Sequence, residues 1–566
     1  MERGVGQGSY ESWLRPGLTC WRQERAGRVA VLHDGAAYFA AAHAALLKAR
    51  TSITLIGWSF DPRARLLPGD SPDAGETLAE LLRRLKAARP ELAIRILIWD
   101  MPWPISAGND HTPDSVRESL GPEIDFRIDG TLPLGACQHQ KILVIDDAIA
   151  FSGGSDFEVN RWDTPAHRDR DPRRRLPSGE DYPPRHDVMM LVDRDAARAL
   201  ADLARERWRR ATGESLPSAD GDSDGDPDWD PWPETLAPHL TDVTVGLART
   251  DPPLAGRPAV TESAALYRAS IRAAERFIYL ENQYLTSPVV AEALAERLAE
   301  PDGPEIVIVL SERSPSGFDR LTMDSARRGL IRALRRADRF DRLRIVAPHT
   351  EKGRPILVHA KVAIIDERLL RIGSTNLNNR SLGYDTECDL AVEVPADDAE
   401  ARAALRRLLV RLLSHHGGCP PDVFGQAFAA RGSLRAVLDD PPFDAVLAGL
   451  PPRPLPPRPG GPPRRGFPSR RPGEPRRRVA PLAPPQGAAP GWRLKFLGGG
   501  HRLTTGEGGT GRLMNPPPWR LDGWTVGFYP APPLPAQRGA GMRAKSRRSH
   551  RAEARGYLSN IACKAA

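Results

Sequence analysis

Long apolar runs are missing from this 566-residue chain. No stretch of about 18 consecutive apolar residues occurs, which argues against a membrane-spanning helix. The amino terminus, Met1 to Gly8, is polar and lacks the apolar segment of a secretory leader. Cysteine is scarce too: Cys20, Cys137, Cys388, Cys419 and Cys563 are few, odd in number and widely spaced. They form no metal or redox pattern, so a reducing compartment is the simple reading. Cys137 and Cys388 read as small buried hydrophobes. Apolar content, at 40%, is a little low for a globular protein.

Proline, by contrast, is abundant, with 56 residues. Fifteen of them fall in Pro451–Pro490, a Pro/Arg tract expected to be extended or disordered. The formal net charge of +8 hides two opposite parts. Residues 451–566 hold 22 basic and 4 acidic groups, whereas residues 1–450 hold 58 basic and 68 acidic ones. The body is therefore acidic and offers no general cationic channel for nucleic acid. Three readings fit the tail: a flexible arm drawn to anionic lipid, an unrelated basic tail, or translation in a shifted frame.

Two short segments carry the chemistry. His139-Gln-Lys141-Ile-Leu-Val-Ile-Asp146 and His359-Ala-Lys361-Val-Ala-Ile-Ile-Asp366 share the pattern H-x-K-x4-D. The four residues between Lys and Asp have the composition of a fully buried strand. In an extended chain alternate side chains share a face, so each copy presents one imidazole and one ammonium together. Each is followed by a small-residue turn, Gly153-Gly154-Ser155-Asp156 and Gly373-Ser374-Thr375-Asn376. Such a set suits a phosphodiester. One neutral histidine can attack phosphorus and form a phosphohistidine. The other, protonated, can serve the leaving oxygen and then the incoming water or alcohol. Lys141 and Lys361, with Ser155, Ser374 and Asn376, would hold the phosphate oxygens. Nothing in this scheme calls for a metal or cofactor. Asp146 and Asp366, past the strand at odd offset from His, are expected to brace the structure. Asp187 and Glu387, each opening a strand, suit orienting a histidine through its second ring nitrogen. His186 reads equally as structural or as a substrate contact.

At these residues the chain resembles the phospholipase D superfamily, whose signature is this duplicated motif. The resemblance runs from about Arg28 to Leu413. Its detail is similar to the phospholipid-cleaving branch: Arg161-Trp162-Asp163, Pro184-Arg-His186-Asp187, Ile278-Tyr-Leu-Glu281-Asn282-Gln283-Tyr284 and Asn376-Leu-Asn-Asn379-Arg380-Ser381. One departure is Asp156 in the first turn where the second has Asn376. The resemblance implies hydrolysis of the distal phosphodiester of glycerophospholipids to phosphatidic acid, with alcohols able to replace water. His139 is the expected nucleophile and His359 the acid/base. A cardiolipin-synthase-like transferase, a nuclease or other phosphodiesterase, and a non-enzymatic membrane-binding protein are the other readings. The expected partner is a phospholipid membrane surface, with no nucleic acid. A monomer is expected, since both half-sites lie on one chain. The expected location is cytoplasmic and transiently peripheral, or else secreted without a leader.

The order of elements predicts an α/β fold of two homologous phospholipase D-like α/β/α lobes related by a pseudo-twofold axis, followed by a low-complexity tail. Strands are expected at Arg28–Gly35, Ile53–Trp58, Ala93–Trp99, Val188–Val192, Phe277–Leu280, Ile306–Leu310 and Cys388–Val392. Helices are expected at 36–50, 77–89, 196–211, 267–276 and 401–413. The expected divisions are an extension (1–27), lobe 1 (28–215), an acidic linker (216–240), lobe 2 (241–450) and the tail (451–566). Ser218–Asp226 imitates a calcium loop, but Pro231 stands where such a loop needs Glu. The loop Arg161–Arg185 is the candidate for substrate selection.

Overall fold

The expected buried strands form the axis of the protein. The computed structural model describes residues 12–69, 75–102, 111–218, 229–254, 256–314, 317–442, 447–449, 520–521 and 524–525. In chain order the strands are β1 (Arg22–His33), β2 (Ser52–Gly57), β3 (Ala93–Trp99), β4 (Asp125–Asp129), β5 (Ile142–Ile145), β6 (Ile149–Gly153), β7 (Arg185–His186) and β8 (Val188–Asp193). The second series is β9 (Leu240–Asp251), β10 (Val260–Thr261), β11 (Phe277–Asn282), β12 (Glu305–Leu310), β13 (Leu343–Pro348), β14 (Leu357–Val358), β15 (Val362–Ile365), β16 (Leu369–Gly373), β17 (Glu387–Glu393) and β18 (Leu447–Gly449). The helices are α1 (Asp34–Lys48), α2 (Leu78–Ala88), α3 (Pro113–Leu120), α4 (Arg194–Thr212), α5 (Glu262–Ala273), α6 (Pro288–Ala299), α7 (Gly317–Ala337), α8 (Ala399–Gly417), α9 (Pro421–Arg431) and α10 (Leu434–Asp439). Far along the chain, Arg520–Leu521 and Trp524–Thr525 pair as a small separate hairpin. Residues 219–228 of the acidic linker and most of the tail lie outside the described residues.

Strand order is a palindrome. From β18 it runs β13-β12-β11-β15-β16-β17-β9, then β1-β8-β6-β5-β2-β3-β4. Each half has two parallel pairs toward its outer edge (β2·β3, β3·β4 and β11·β12, β12·β13) and antiparallel pairs inward, and in the second half β18 adds an antiparallel edge strand to β13. The halves join through β1 and β9, two long antiparallel strands in register from Arg22↔Leu247 to Val29↔Leu240. A repeated unit thus closes on its own copy at one strand of each.

Helices cover both faces. On one face α4 buries Ala196, Ala197, Leu200, Leu203, Ala204 and Trp208 at helical spacing. Its counterpart α8 buries Leu405, Leu408, Leu409, Leu412 and Leu413, and the two helices share one core that runs through both halves. On the other face each half keeps its own core, under α1 and α2 in the first and under α5 and α6 in the second.

Several boundaries differ from expectation for a shared reason. The helix expected at 36–50 stops at Lys48, because the backbone N–H groups of Arg50, Thr51 and Ser52 donate to Asp146. The helix expected at 267–276 runs instead over Glu262–Ala273, and Glu275, Arg276 and Phe277 donate to Asp366. Each motif aspartate therefore terminates a helix and starts a strand, from a backbone turn with positive φ (52° and 55°) that Asp tolerates. The first strand begins at Arg22, before the expected boundary. The segment ahead of it is no bare extension: Trp13 and Leu14 sit in the second half's core, and Glu393 accepts from Trp13 N at 2.9 Å and Leu14 N at 3.2 Å. Such a segment has no periodicity to announce it.

Replacing Asp146 by Ala leaves three half-buried backbone donors and the Thr51 hydroxyl without their acceptor. Urea denaturation of the D146A variant should show a loss of about 2–3 kcal/mol. A change below about 0.5 kcal/mol would mean that the turn holds without the carboxylate.

Candidate active site

The two motif histidines sit just ahead of β5 and β15, each on a short bridge to the opposite half. His139 N donates to Thr386 O at 3.1 Å, and Thr386 N to Cys137 O at 3.0 Å. In the other copy His359 N donates to His186 O at 2.7 Å, while β14 pairs with β7. These ladders carry the supporting carboxylates with them. His139 Nδ1 lies 2.9 Å from Glu387 Oε2, and His359 Nδ1 lies 2.8 Å from Asp187 Oδ2. Each histidine of one half is thus held by a carboxylate of the other. With Nδ1 engaged, Nε2 is the ring nitrogen left for chemistry.

The lysines fold back on their own motifs. Lys141 Nζ donates to His139 O at 2.9 Å, and Lys361 Nζ likewise to His359 O. Beyond that the copies differ. Lys141 forms an ion pair with Asp156 at 3.2 Å, whereas the second turn has the neutral Asn376 at the matching position. Lys361 is wholly buried, and burial with Lys141 and Arg185 close by pulls its ammonium down to about 7.

Other cations crowd the same place. Burial pushes His359 well below the ordinary histidine range, and Lys361, Arg185, Arg161 and Lys141 push it further. His139 is lowered in the same way by burial, Lys141, Lys361 and Arg380. Arg185 falls to about 9 through burial and the neighbouring Arg161. Burial also raises Asp187 and Glu387, so both partners of each His–carboxylate pair are driven toward neutral forms. A buried pocket with this much positive charge calls for an anion.

The turn residues divide. Ser155 Oγ and Asn376 Oδ1 are buried and have no hydrogen-bond partner in the protein. Ser374, expected to hold phosphate, does something else: its hydroxyl donates to Glu387 Oε2 at 2.5 Å and so fixes the carboxylate behind His139. At the matching position Gly154 leaves room for Asp187, whose Oδ1 a β-carbon there would strike. Asp146 and Asp366 stand at their turns, away from the reacting groups, as bracing residues. His186 is fully buried between Asp34 and Glu281, at 2.8 Å from each, and so is structural rather than a substrate contact.

The loop at 161–185 is anchored rather than loose. Asp163, fully buried, accepts from Arg174 at 3.0 Å and from Arg185 N at 2.8 Å, and lies 2.8 Å from His167 Nδ1. Residues 166–170 of this loop and 351–354 of the second half line a cavity of about 750 Å³. The motif reading missed Arg161, Arg185 and Arg380 as charges of the site. Their one signal is adjacency to Trp162-Asp163, His186-Asp187 and Ser381.

Comparison with known proteins agrees with this geometry. A family model described as "Cardiolipin synthase, PLD-like domain" matches residues 267–409, which include His359, Lys361 and Glu387. Phospholipase D A of Dictyostelium discoideum is 25% identical over 414 residues, covering 62% of this chain and 32% of that protein. Phospholipase D1 of Saccharomyces cerevisiae is 25% identical over 502 residues, covering 69% of this chain and 29% of that protein. The chain thus spans about a third of the length of these curated relatives. Among solved structures, phosphatidylserine synthase of Haemophilus influenzae aligns with a TM-score of 0.50 at 12% identity, covering 75% of this chain and 96% of that one. That likeness speaks for the fold.

An anion entering the pocket favours the protonated form of Lys361. At pH 8, above its value of about 7, the free site has lost most of that proton, so anion binding takes one up. Calorimetric titration with tungstate in buffers of different ionisation enthalpy should report net uptake approaching about one proton per site. In N376D the new carboxylate already holds the ammonium charged, and uptake should fall by at least about half. Tungstate binding with no proton exchange would refute this charge assignment.

Proposed function

As a phosphodiesterase-type enzyme belonging to the phospholipase D superfamily, this chain, we propose, cleaves the distal phosphodiester of glycerophospholipids, releasing the head-group alcohol. The observation that carries this reading is the pair of histidines, each held by a carboxylate of the other half, in a pocket where lysines and arginines gather. Substrate binding and proton placement are then linked. The diester brings the negative charge that the buried cations lack, raising Lys361 and the acid histidine as it enters. His139, neutral and held through Nδ1 by Glu387, attacks phosphorus from Nε2. His359 gives a proton to the departing alcohol and then takes one from water or a second alcohol. The phosphoryl oxygens meet Lys141, Lys361 and the buried Ser155 and Asn376.

A phosphatidyltransferase is the second reading, favoured by the cardiolipin synthase description of the matching family model. The two share the covalent intermediate and differ in which acceptor resolves it.

The substrate of this reading lies at a membrane surface; among the described residues no helix is long and apolar enough to cross one. Leu134 is 82% exposed, close in sequence to His139, and its carbonyl accepts from the Tyr384 hydroxyl at 2.8 Å. Tyr384 lies close in sequence to Glu387, so an apolar tip stands beside both halves of the site. Leu134 is suited to dip into the lipid boundary.

Mixed phospholipid vesicles with added ethanol test the reaction. Head-group release and phosphatidylethanol are expected, with H139A and H359A each reduced at least about a thousandfold. Label from the lipid phosphate should remain bound to H359A and not to H139A. Phosphatidylglycerol as the preferred acceptor over water would select the transferase. Cleavage of nucleic acid or a simple diester, with no lipid turnover, would remove the lipid assignment and keep the chemistry.

The membrane contact has its own check. L134D should turn over vesicle lipid about tenfold more slowly while keeping its rate on a soluble short-chain lipid. Equal loss on both substrates would place Leu134 in the site rather than at the surface.

A further inference from the structure

Beside the reacting histidines, outside the machinery described above, lies a second cluster of imidazoles and carboxylates. Asp34 opens α1, His167 belongs to the loop at 161–185, His186 lies on β7 and His415 ends α8. One ligand atom from each of these four falls within 4.8 Å of all the others. His167 Nε2 and His415 Nε2 are 3.1 Å apart, His186 Nδ1 is 2.8 Å from Asp34 Oδ1, and the Asp34 oxygens lie 3.8 Å from His167 Nε2 and from His415 Nε2. Tetrahedral zinc with bonds of about 2.0–2.1 Å separates its ligands by about 3.3 Å, within this range.

Two further features point to a cation. Asp34 is 1% exposed, yet its Oδ2 accepts no hydrogen bond. The remote nitrogens of two of the imidazoles are each held by a carboxylate: His167 Nδ1 by Asp163 at 2.8 Å, and His186 Nε2 by Glu281 at 2.8 Å. This carboxylate–histidine pairing fixes the orientation of each ring; the second nitrogen of His167 lies against His415 and that of His186 against Asp34, and a metal would take the place of those two contacts. The carboxylates are themselves held, Asp163 by Arg174 and the Arg185 backbone, and Glu281 by Tyr279 and His416.

We propose that Asp34, His167, His186 and His415 bind a structural divalent cation, with zinc favoured by three imidazole nitrogens and one carboxylate. The ion ties the end of α8, from the second half, to three elements of the first. It also sits one residue from the catalytic support. Asp34 N donates to Asp187 O at 2.8 Å, Asp187 N to Asp34 Oδ1 at 3.2 Å, and Asp187 holds His359. The role is positional. No step of phosphodiester cleavage passes through the ion.

Metal content and thermal stability of the tag-free full chain test this without reference to any substrate. The protein exchanged into metal-free buffer should retain about one zinc per chain by mass spectrometry. Stripping with dipicolinate should lower Tm by about 5 °C or more, and one equivalent of Zn²⁺ should restore it. H415A and D34N should hold at most about a tenth of the zinc, with a Tm indifferent to the chelator. Should either variant fail to fold, the stripping and refilling of the wild-type chain decides alone. A wild-type chain that carries no zinc, takes up none when it is added, and melts identically with and without chelator would overturn the proposal. The cluster would then be a hydrogen-bond network sharing protons between His167 and His415.

Discussion

Each reacting histidine depends on a carboxylate that its own half does not carry. Glu387 reaches across to His139 and Asp187 reaches across to His359, and the backbone ladders at 137–139 with 386 and at 185–186 with 357–359 fix both crossings. Neither half alone supplies both members of a His–carboxylate pair, so neither alone fixes the tautomer of its motif histidine. The β1·β9 junction and the core shared by α4 and α8 therefore serve chemistry as well as stability. They hold two rigid repeats at the spacing that lets a pair of short carboxylates meet a pair of imidazoles.

The duplication repeats the strand order of the central sheet and is unequal in chemistry, and the inequalities compensate one another. The longer Glu387 is steadied by the hydroxyl of Ser374, whereas the shorter Asp187 lies against Gly154, where no side chain intervenes. Lys141 is neutralised in part by Asp156, whereas the second turn carries the neutral Asn376 and burial pulls the Lys361 ammonium down to about 7. Two lysines that share a motif thus play different parts. One is paired with a carboxylate, and the other is held low by burial and its cationic neighbours. Equal halves would either repel their own cations or neutralise them before the substrate could.

How much of this was legible in the sequence depended on whether the signal was local. The motifs, the strands after them and the alternation of helix and strand are runs of fixed spacing, and they appeared where expected. The carboxylates Asp187 and Glu387 were legible as supporters, because the strands after them come into register. Their crossing between halves was not, since nothing near Glu387 in the chain marks His139. Helix ends moved because Asp146 and Asp366, about 90 residues away in the chain, claim the backbone donors there. The segment around Trp13 and the cluster of Asp34, His167, His186 and His415 are assemblies of distant residues without period or motif. Among these, only His186 had drawn notice, and as a residue of ambiguous role.

The charge plan bears on substrate choice. Residues 1–450 carry ten more acidic than basic groups, yet the reacting pocket gathers Lys141, Lys361, Arg161, Arg185 and Arg380 around two imidazoles. At long range such a body repels an extended polyanion, and solvent screens the effect beyond about 10 Å. At short range the buried cations attract one phosphate strongly, because little water is left to compete. The attraction for one phosphate group is thus set by the cations gathered in the pocket and not by the net charge of residues 1–450.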